Sequence, residues 1–222
     1  MSDKLISFNR TSLEVLGGGE SGGKALSFAP WKLWEKPVST HSNDHDHYAS
    51  ATRCLSRITN VEEFWKYWLC VPQPSELLEG KHFVRETDAA TGALTQIDTL
   101  MLFREGVRPE WEDPANATGG HLQYMFKVTG INPGQLDEYW NNLAMGLVGG
   151  TIQLCDMVTG IRLLDKSTAG RNNGVRIEVW FRDYHLADKI STLKQSLETC
   201  MATRLDGSIG SIPKGELKSH SS

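Results

Sequence analysis

Between Val175 and Phe181 the chain alternates without a break. Val175, Ile177, Val179 and Phe181 are apolar, and Arg176, Glu178 and Trp180 fall between them. A period of two marks a strand with one buried face. Leu122, Tyr124, Phe126 and Val128 repeat the pattern. Such segments demand a sheet that is covered on one side only, so the chain must also supply something to cover it.

The cover is legible as helices. Asn60 is placed to cap a helix, and Glu63 sits where a carboxylate supports the first turn. Val61, Phe64, Trp65, Trp68 and Leu69 then follow the spacing of an apolar helix face, and Pro72 ends the run. Asn132-Pro133 opens a second helix carrying Leu136, Tyr139, Trp140, Leu143 and Leu147. A third, about His185 to Met201, buries Leu186, Ile190, Leu193 and Leu197. Further strands are expected near Ser27–Glu35, Thr52–Ile58, Ala93–Phe103 and Ile161–Leu164. Many connections are too short for parallel crossovers, so the expected class is α+β, an antiparallel sheet with about three helices on one face.

Composition narrows the function classes. A formal charge of −4 excludes a generic polycation that coats nucleic acid. The longest uncharged run, Tyr139 to Cys155, holds Asn141, Asn142 and Gln153, so no membrane span is expected. No basic start precedes an apolar block, and no secretory signal is expected. Cys54, Cys70, Cys155 and Cys200 are far apart, which argues for reduced thiols rather than a zinc site or disulfide framework. Gly17 to Gly23 reads as linker, and the chain beyond Leu205 is rich in Ser, Gly and Lys. The expected organisation is a flexible tail over 1–25, one domain over 26–204 and a flexible tail over 205–222.

The phosphate-loop, dinucleotide and nucleophile-elbow glycine motifs are all missing. His41, His45 and His47 with Asp44 and Asp46 have the right ligand types for a metal but no rigid spacing, so a solvated polar loop is the simpler reading. The informative segment is Arg108-Pro109-Glu110-Trp111-Glu112-Asp113-Pro114. A tryptophan followed by two carboxylates stands in a proline-bounded loop, where a flat ring can stay exposed for stacking. Across Gly160 to Arg182 five basic residues, Arg162, Lys166, Arg171, Arg176 and Arg182, face only Asp165 and Glu178, a local charge of +3. Aromatic planes, a carboxylate and a basic patch together describe a nucleotide site, with phosphates on the basic side. The best fit is a methylated, cationic guanine: its positive ring is drawn to aromatic faces, and its N1–H and N2–H₂ reach one carboxylate.

Trp31-Lys32-Leu33-Trp34, Val61-Glu62-Glu63-Phe64-Trp65, Gly106 to Asp113 with Gly119-Gly120, and Val175 to Trp180 stand in a recognisable order. With them the chain resembles the translation initiation factor 4E family, which binds the 7-methylguanosine 5′ cap of mRNA, from about Pro30 to Arg204. The resemblance implies a curved sheet with helices on its convex back and the cap in its concave front. It assigns Tyr48 and Trp111 to base stacking, Glu112 to guanine recognition and Trp180 to contact with the N7-methyl group. Arg176 falls on a phosphate-binding position. Lys166 falls roughly on another, but the Ser167–Gly174 hairpin is long enough to admit Arg171 instead.

The departures from the family pattern are specific. Tyr48 stands where the family carries its first stacking tryptophan, and Ser27-Phe28-Ala29-Pro30 stands where a His-Pro-Leu motif is usual. On the dorsal helix Asn141 and Asn142 replace leucine and glutamate. The resemblance still implies a dorsal partner surface built on Val61, Trp65, Asn142 and Met145. That surface would receive an amphipathic helix of a 4G-type scaffold or a 4E-binding protein. Trp31, Trp34, Trp68 and Trp140 are expected to pack. The implied protein is a cytoplasmic, possibly also nuclear, monomer that binds without catalysis, metal or cofactor. The alternatives are a cap-binding repressor or sequestering paralogue and, more distantly, a metal-dependent hydrolase using the His41–His47 loop.

Overall fold

The computed structural model describes residues 4–7, 29–38, 52–88, 90–167 and 173–220. In chain order the strands are β1 (Lys4–Ser7), β2 (Trp31–Pro37), β3 (Arg53–Ile58), β4 (Lys81–Asp88), β5 (Ala93–Arg104), β6 (Gly120–Lys127), β7 (Val158–Asp165), β8 (Gly174–Phe181) and β9 (Glu216–Ser219). The helices are α1 (Val61–Trp68), α2 (Ser75–Leu78), α3 (Pro114–Ala117), α4 (Pro133–Val148) and α5 (Ala187–Ala202). The strands form one curved sheet in the order β1-β4-β5-β7-β8-β6-β9, with β2 joining the long β5 beyond β4 and β3 pairing β2. Every pairing is antiparallel except β1 with β4.

Alternation decides which residues meet the helices. Val175, Ile177, Val179 and Phe181 of β8, Leu122, Tyr124 and Phe126 of β6, and Ile161 and Leu163 of β7 share one buried cluster. Phe64 and Trp68 of α1, Leu136, Trp140 and Leu143 of α4, and Ile190, Leu193 and Leu197 of α5 complete it. Asn60 caps α1 as expected, accepting from the Glu63 amide at 2.8 Å. Glu63 returns the bond to the Thr59 amide and hydroxyl at 2.7 and 2.8 Å. Asn132 caps α4 with Pro133 in its first turn. These side chains satisfy amides that a helix start leaves without partners.

Two glycines join the sheet to the loop that precedes it. A side chain at Gly119 would overlap the Phe181 carbonyl, and one at Gly120 would overlap the Lys218 carbonyl and the Tyr184 ring. Their bareness lets β6 enter between β8 and β9.

The structure corrects the reading of the chain ends. Residues 205–222 have the composition of a flexible tail, yet β9 lies along β6, pairing Ser219 with Gly120 and Glu216 with Gln123. Lys4–Ser7, inside the expected N-terminal tail, pairs in parallel with Lys81–Val84. Strand β4 also went unread, because Phe83, Val84 and Arg85 are all buried and no alternation survives.

Candidate cap-binding site

The front of the sheet is built from the residues that the back leaves out. Register sets them in rows. Phe103 faces Gly160 across β5 and β7, Gly160 faces Trp180 across β7 and β8, and Trp180 faces His121 across β8 and β6. The next row runs Met101, Arg162, Glu178 and Gln123. Met101, Phe103 and Trp180 form a small apolar cluster on this side, with Trp34 and Val107 against it. Trp31, Trp68 and Trp140 are buried in the back core, so three of the four tryptophans expected to pack do so there and Trp34 does so in front.

Glu178 is the centre of the front face. It is 3% exposed. One carboxylate oxygen accepts from the Trp180 indole N–H at 3.0 Å and from Arg162 at 3.1 Å. The other lies 3.0 Å from Arg176 Nε. Burial works against its charge, but Arg162 and Arg176, with His121 and the indole N–H, hold its carboxyl below the usual range. The Arg162 guanidinium also sits 5.0 Å from the Trp180 ring centre, within cation–π range. Arg176 reaches Gln123 at 3.3 Å. Lys166 stands at the base of the β7–β8 hairpin, bonded through its backbone to Gly174 in both directions. Burial and then the Arg176 charge lower its pKa.

Trp111 projects from the loop after β5 and is 49% exposed, with Glu112 exposed beside it. The loop is braced rather than loose. Asp113 caps α3 through the Ala115 amide and also accepts from the Arg108 amide, both at 2.9 Å. Asn116, fully buried, donates to the carbonyls of Arg108 and Glu110 at 2.9 Å each.

The C-terminal strand reaches the same place. His220 lies 4.4 Å from the Trp180 ring, 5.9 Å from Trp111 at an interplanar angle of 22°, and 5.3 Å from His121. Its Nδ1 donates to the Asn116 carbonyl at 3.0 Å, which leaves Nε2 to accept from His121 Nδ1 at 3.1 Å. Burial depresses both histidines, His121 to about 4. Trp180 is consequently 1% exposed, enclosed by Phe103, Arg162, His121 and His220.

Of the residues expected in the site, Trp111, Glu112, Trp180, Arg176 and Lys166 are described, and His220 links Trp111 to Trp180. Tyr48, Arg171 and the His41–His47 loop lie outside the described residues. Among the described residues, no group of three or more metal-ligating side chains comes together. The sequence offers Arg162 and Glu178 only as local charges and gives no sign of Glu178 as a hub, nor of Asn116, His121 and His220. The alternation did carry one signal: with Leu122 and Tyr124 facing back, His121 and Gln123 must face front.

A family model for eukaryotic initiation factor 4E matches residues 28–220. The chain belongs to that family. Among curated relatives, translation initiation factor 4E of Eremothecium gossypii is 29% identical over 160 residues, covering 71% of this chain and 62% of that one. The initiation factor NCBP of Oryza sativa is 35% identical over 151 residues, covering 68% and 55%. The matched region thus spans less than two thirds of these relatives' own length. Among solved structures, Caenorhabditis elegans eIF4E-3 in complex with the 4E-binding protein Mextli aligns with a TM-score of 0.60 at 21% identity, over 81% of this chain and 87% of that one. Ascaris suum eIF4E-3 with an m2,2,7G cap aligns with a TM-score of 0.60 at 19% identity, over 86% and 96%. These likenesses show the family's cupped sheet.

On the back, α1 buries only part of its apolar set, and Leu69 lies open to solvent. Phe64 and Trp68 are buried, Trp65 is 41% exposed, and Val61 is half-buried. The Trp68 indole donates to Asn141 at 2.7 Å, so Asn141 ties α4 to α1. Asn142 donates to the carbonyls of Met201 and Thr203 at 3.2 and 2.7 Å, tying down the end of α5. With Met145 it lines a groove of about 850 Å³ between α4 and α5.

Proposed function

We propose that this chain binds the 7-methylguanosine 5′ cap of mRNA and delivers it to the translation initiation machinery through a scaffold protein, acting by binding alone, in the cytoplasm. The observation that carries this reading is Trp111: a half-exposed indole on a braced loop, with Glu112 beside it, at the mouth of a front face that holds Trp180 and Arg176. In this reading Trp111 stacks on the cationic ring with Tyr48 as the opposing plane, and Glu112 accepts from N1–H and N2–H₂. Trp180 meets the N7-methyl group. Arg176, aided by Lys166 or Arg171, takes the phosphates. Support also comes from the relatives, which are initiation factors, and from the neighbouring structures, one in complex with a 4E-binding protein and one with an m2,2,7G cap.

The partner helix would dock on Trp65 and Val61, an exposed aromatic anchor with an apolar neighbour. A repressor reading draws on Asn142, whose amide is committed to the end of α5 where the family carries a glutamate. Retention of a 4G-type scaffold peptide on cap-bound protein separates the two. The decisive experiment for cap binding is calorimetric titration with 7-methyl-GTP and GTP. Much tighter binding of the methylated ligand is expected, and equal affinity would sink the cation–π account.

A further inference from the structure

Trp180 cannot meet a ligand while its surroundings stay as they are, since its ring is 1% exposed. Met101, Trp34 and Val107 pack in the same cluster, and Phe103, Arg162, His121 and His220 lie against its ring; these last four differ in what it takes to move them. Phe103 is fully buried and lies over Gly160, where any side chain would overlap its ring. Arg162 is held by Glu178. His121 sits within β6, paired on one side to β8 and on the other to β9. His220 alone follows the end of an edge strand. That strand, β9, is four residues long, and all four are exposed.

Upstream, the segment is anchored. The Gly215 amide donates to Glu198 at 3.0 Å, and Gly215 lies so close to the Tyr124 ring that no side chain fits there. Beyond Gly215 the chain is held by the β6 ladder, by the His220 amide on the Gly119 carbonyl, and by the His220 ring. A displacement that uncovers Trp180 therefore runs from Gly215 outward and leaves the sheet core intact.

We propose that His220 is an internal occupant of the cap-base site, and that the methylated base binds by displacing it from Trp180 and from the inner edge of Trp111. The proposal rests on the cap-binding reading above. His220 offers a flat ring near-parallel to Trp111, a donor to Asn116 and an acceptor to His121, so it supplies stacking and hydrogen bonding that a base would replace. Cap affinity is then reduced by the fraction of molecules in which the site is closed.

The test uses the full chain, His220→Ala, and a chain ending at Ser219, each titrated with 7-methyl-GTP. Both variants are expected to bind tighter, by about tenfold if the closed form dominates. Hydrogen exchange on the unmutated protein adds a readout independent of folding in the variants: 7-methyl-GTP should speed exchange of the Ser219 and His220 amides. Unchanged or weaker binding in both variants, or slower exchange at these amides on ligand addition, overturns the gate and leaves cap binding standing. Binding seen only in the variants supports the gate most strongly. No 7-methyl-GTP binding by any of the three forms overturns the cap reading and the gate with it.

Discussion

Strand β8 sends Val175, Ile177, Val179 and Phe181 to the back of the sheet and Arg176, Glu178 and Trp180 to the front, and the two sets are held by different forces. The back set is apolar and shares one buried cluster with α1, α4 and α5. Each contact there is replaceable by another of similar volume. In front, one carboxylate pairs with an indole and two arginines, and the loss of any one leaves the others mispaired. Breaking a buried ion pair from one side costs about 3–5 kcal/mol, whereas an apolar swap of similar size costs under about 1.5 kcal/mol. One strand thus carries an apolar face on one side and, in the proposed reading, recognition on the other.

The sharpest way to break this contrast is to truncate the back. Trp140→Ala should lower stability by about 3–5 kcal/mol, read as a large drop in melting temperature. Cap affinity measured well below that temperature should change little, and a large loss of affinity would mean that the two faces are mechanically coupled.

Acidification tests the front. His121 is neutral when folded down to about pH 4 but takes a proton near pH 6.5 when unfolded. Its contribution is therefore complete above pH 6.5 and is lost as pH falls from there to about 4, by at most about 3 kcal/mol. His220 acts in the same direction. Their charged neighbours are Glu178, Arg162 and Arg176. Urea melts at pH 7.5 and 5.0 should show a smaller difference in His121→Gln than in the unmutated protein; equal differences would put the pH sensitivity elsewhere.

Trp111→Ala should cost about 1–3 kcal/mol of cap binding with almost no change in melting temperature, because the ring is half exposed. A fall in stability instead would make Trp111 a packing residue. The smallest effect is expected at Arg176→Ala. It should weaken 7-methyl-GTP more than 7-methylguanosine and flatten the salt dependence of binding. Equal loss for both ligands would assign Arg176 to the Glu178 network alone.

What the sequence discloses follows the same division. Back-face elements are legible because periodicity is local: Asn60, Glu63, Phe64 and Trp68 announce α1 within nine residues. Strand β4 could not be read, because Arg85 is buried through a partner, Glu35, fifty residues away. Glu178 could be read as front-facing, but not as a hub, since Arg162 meets it across a hairpin. Strand β9 is exposed at every residue and leaves no hydrophobic trace. His220 became visible only when β9 was laid beside β6.

Asn116 has a consequence of its own. Its side chain pins two carbonyls of the Trp111 loop, and its backbone carbonyl receives the His220 ring. The residue that braces the Trp111 loop is thus also the acceptor for the last described residue of the C-terminal strand. If that strand undocks as proposed, the Asn116 carbonyl loses the His220 bond while its side-chain amide keeps both carbonyls of the loop, so the brace outlasts the latch.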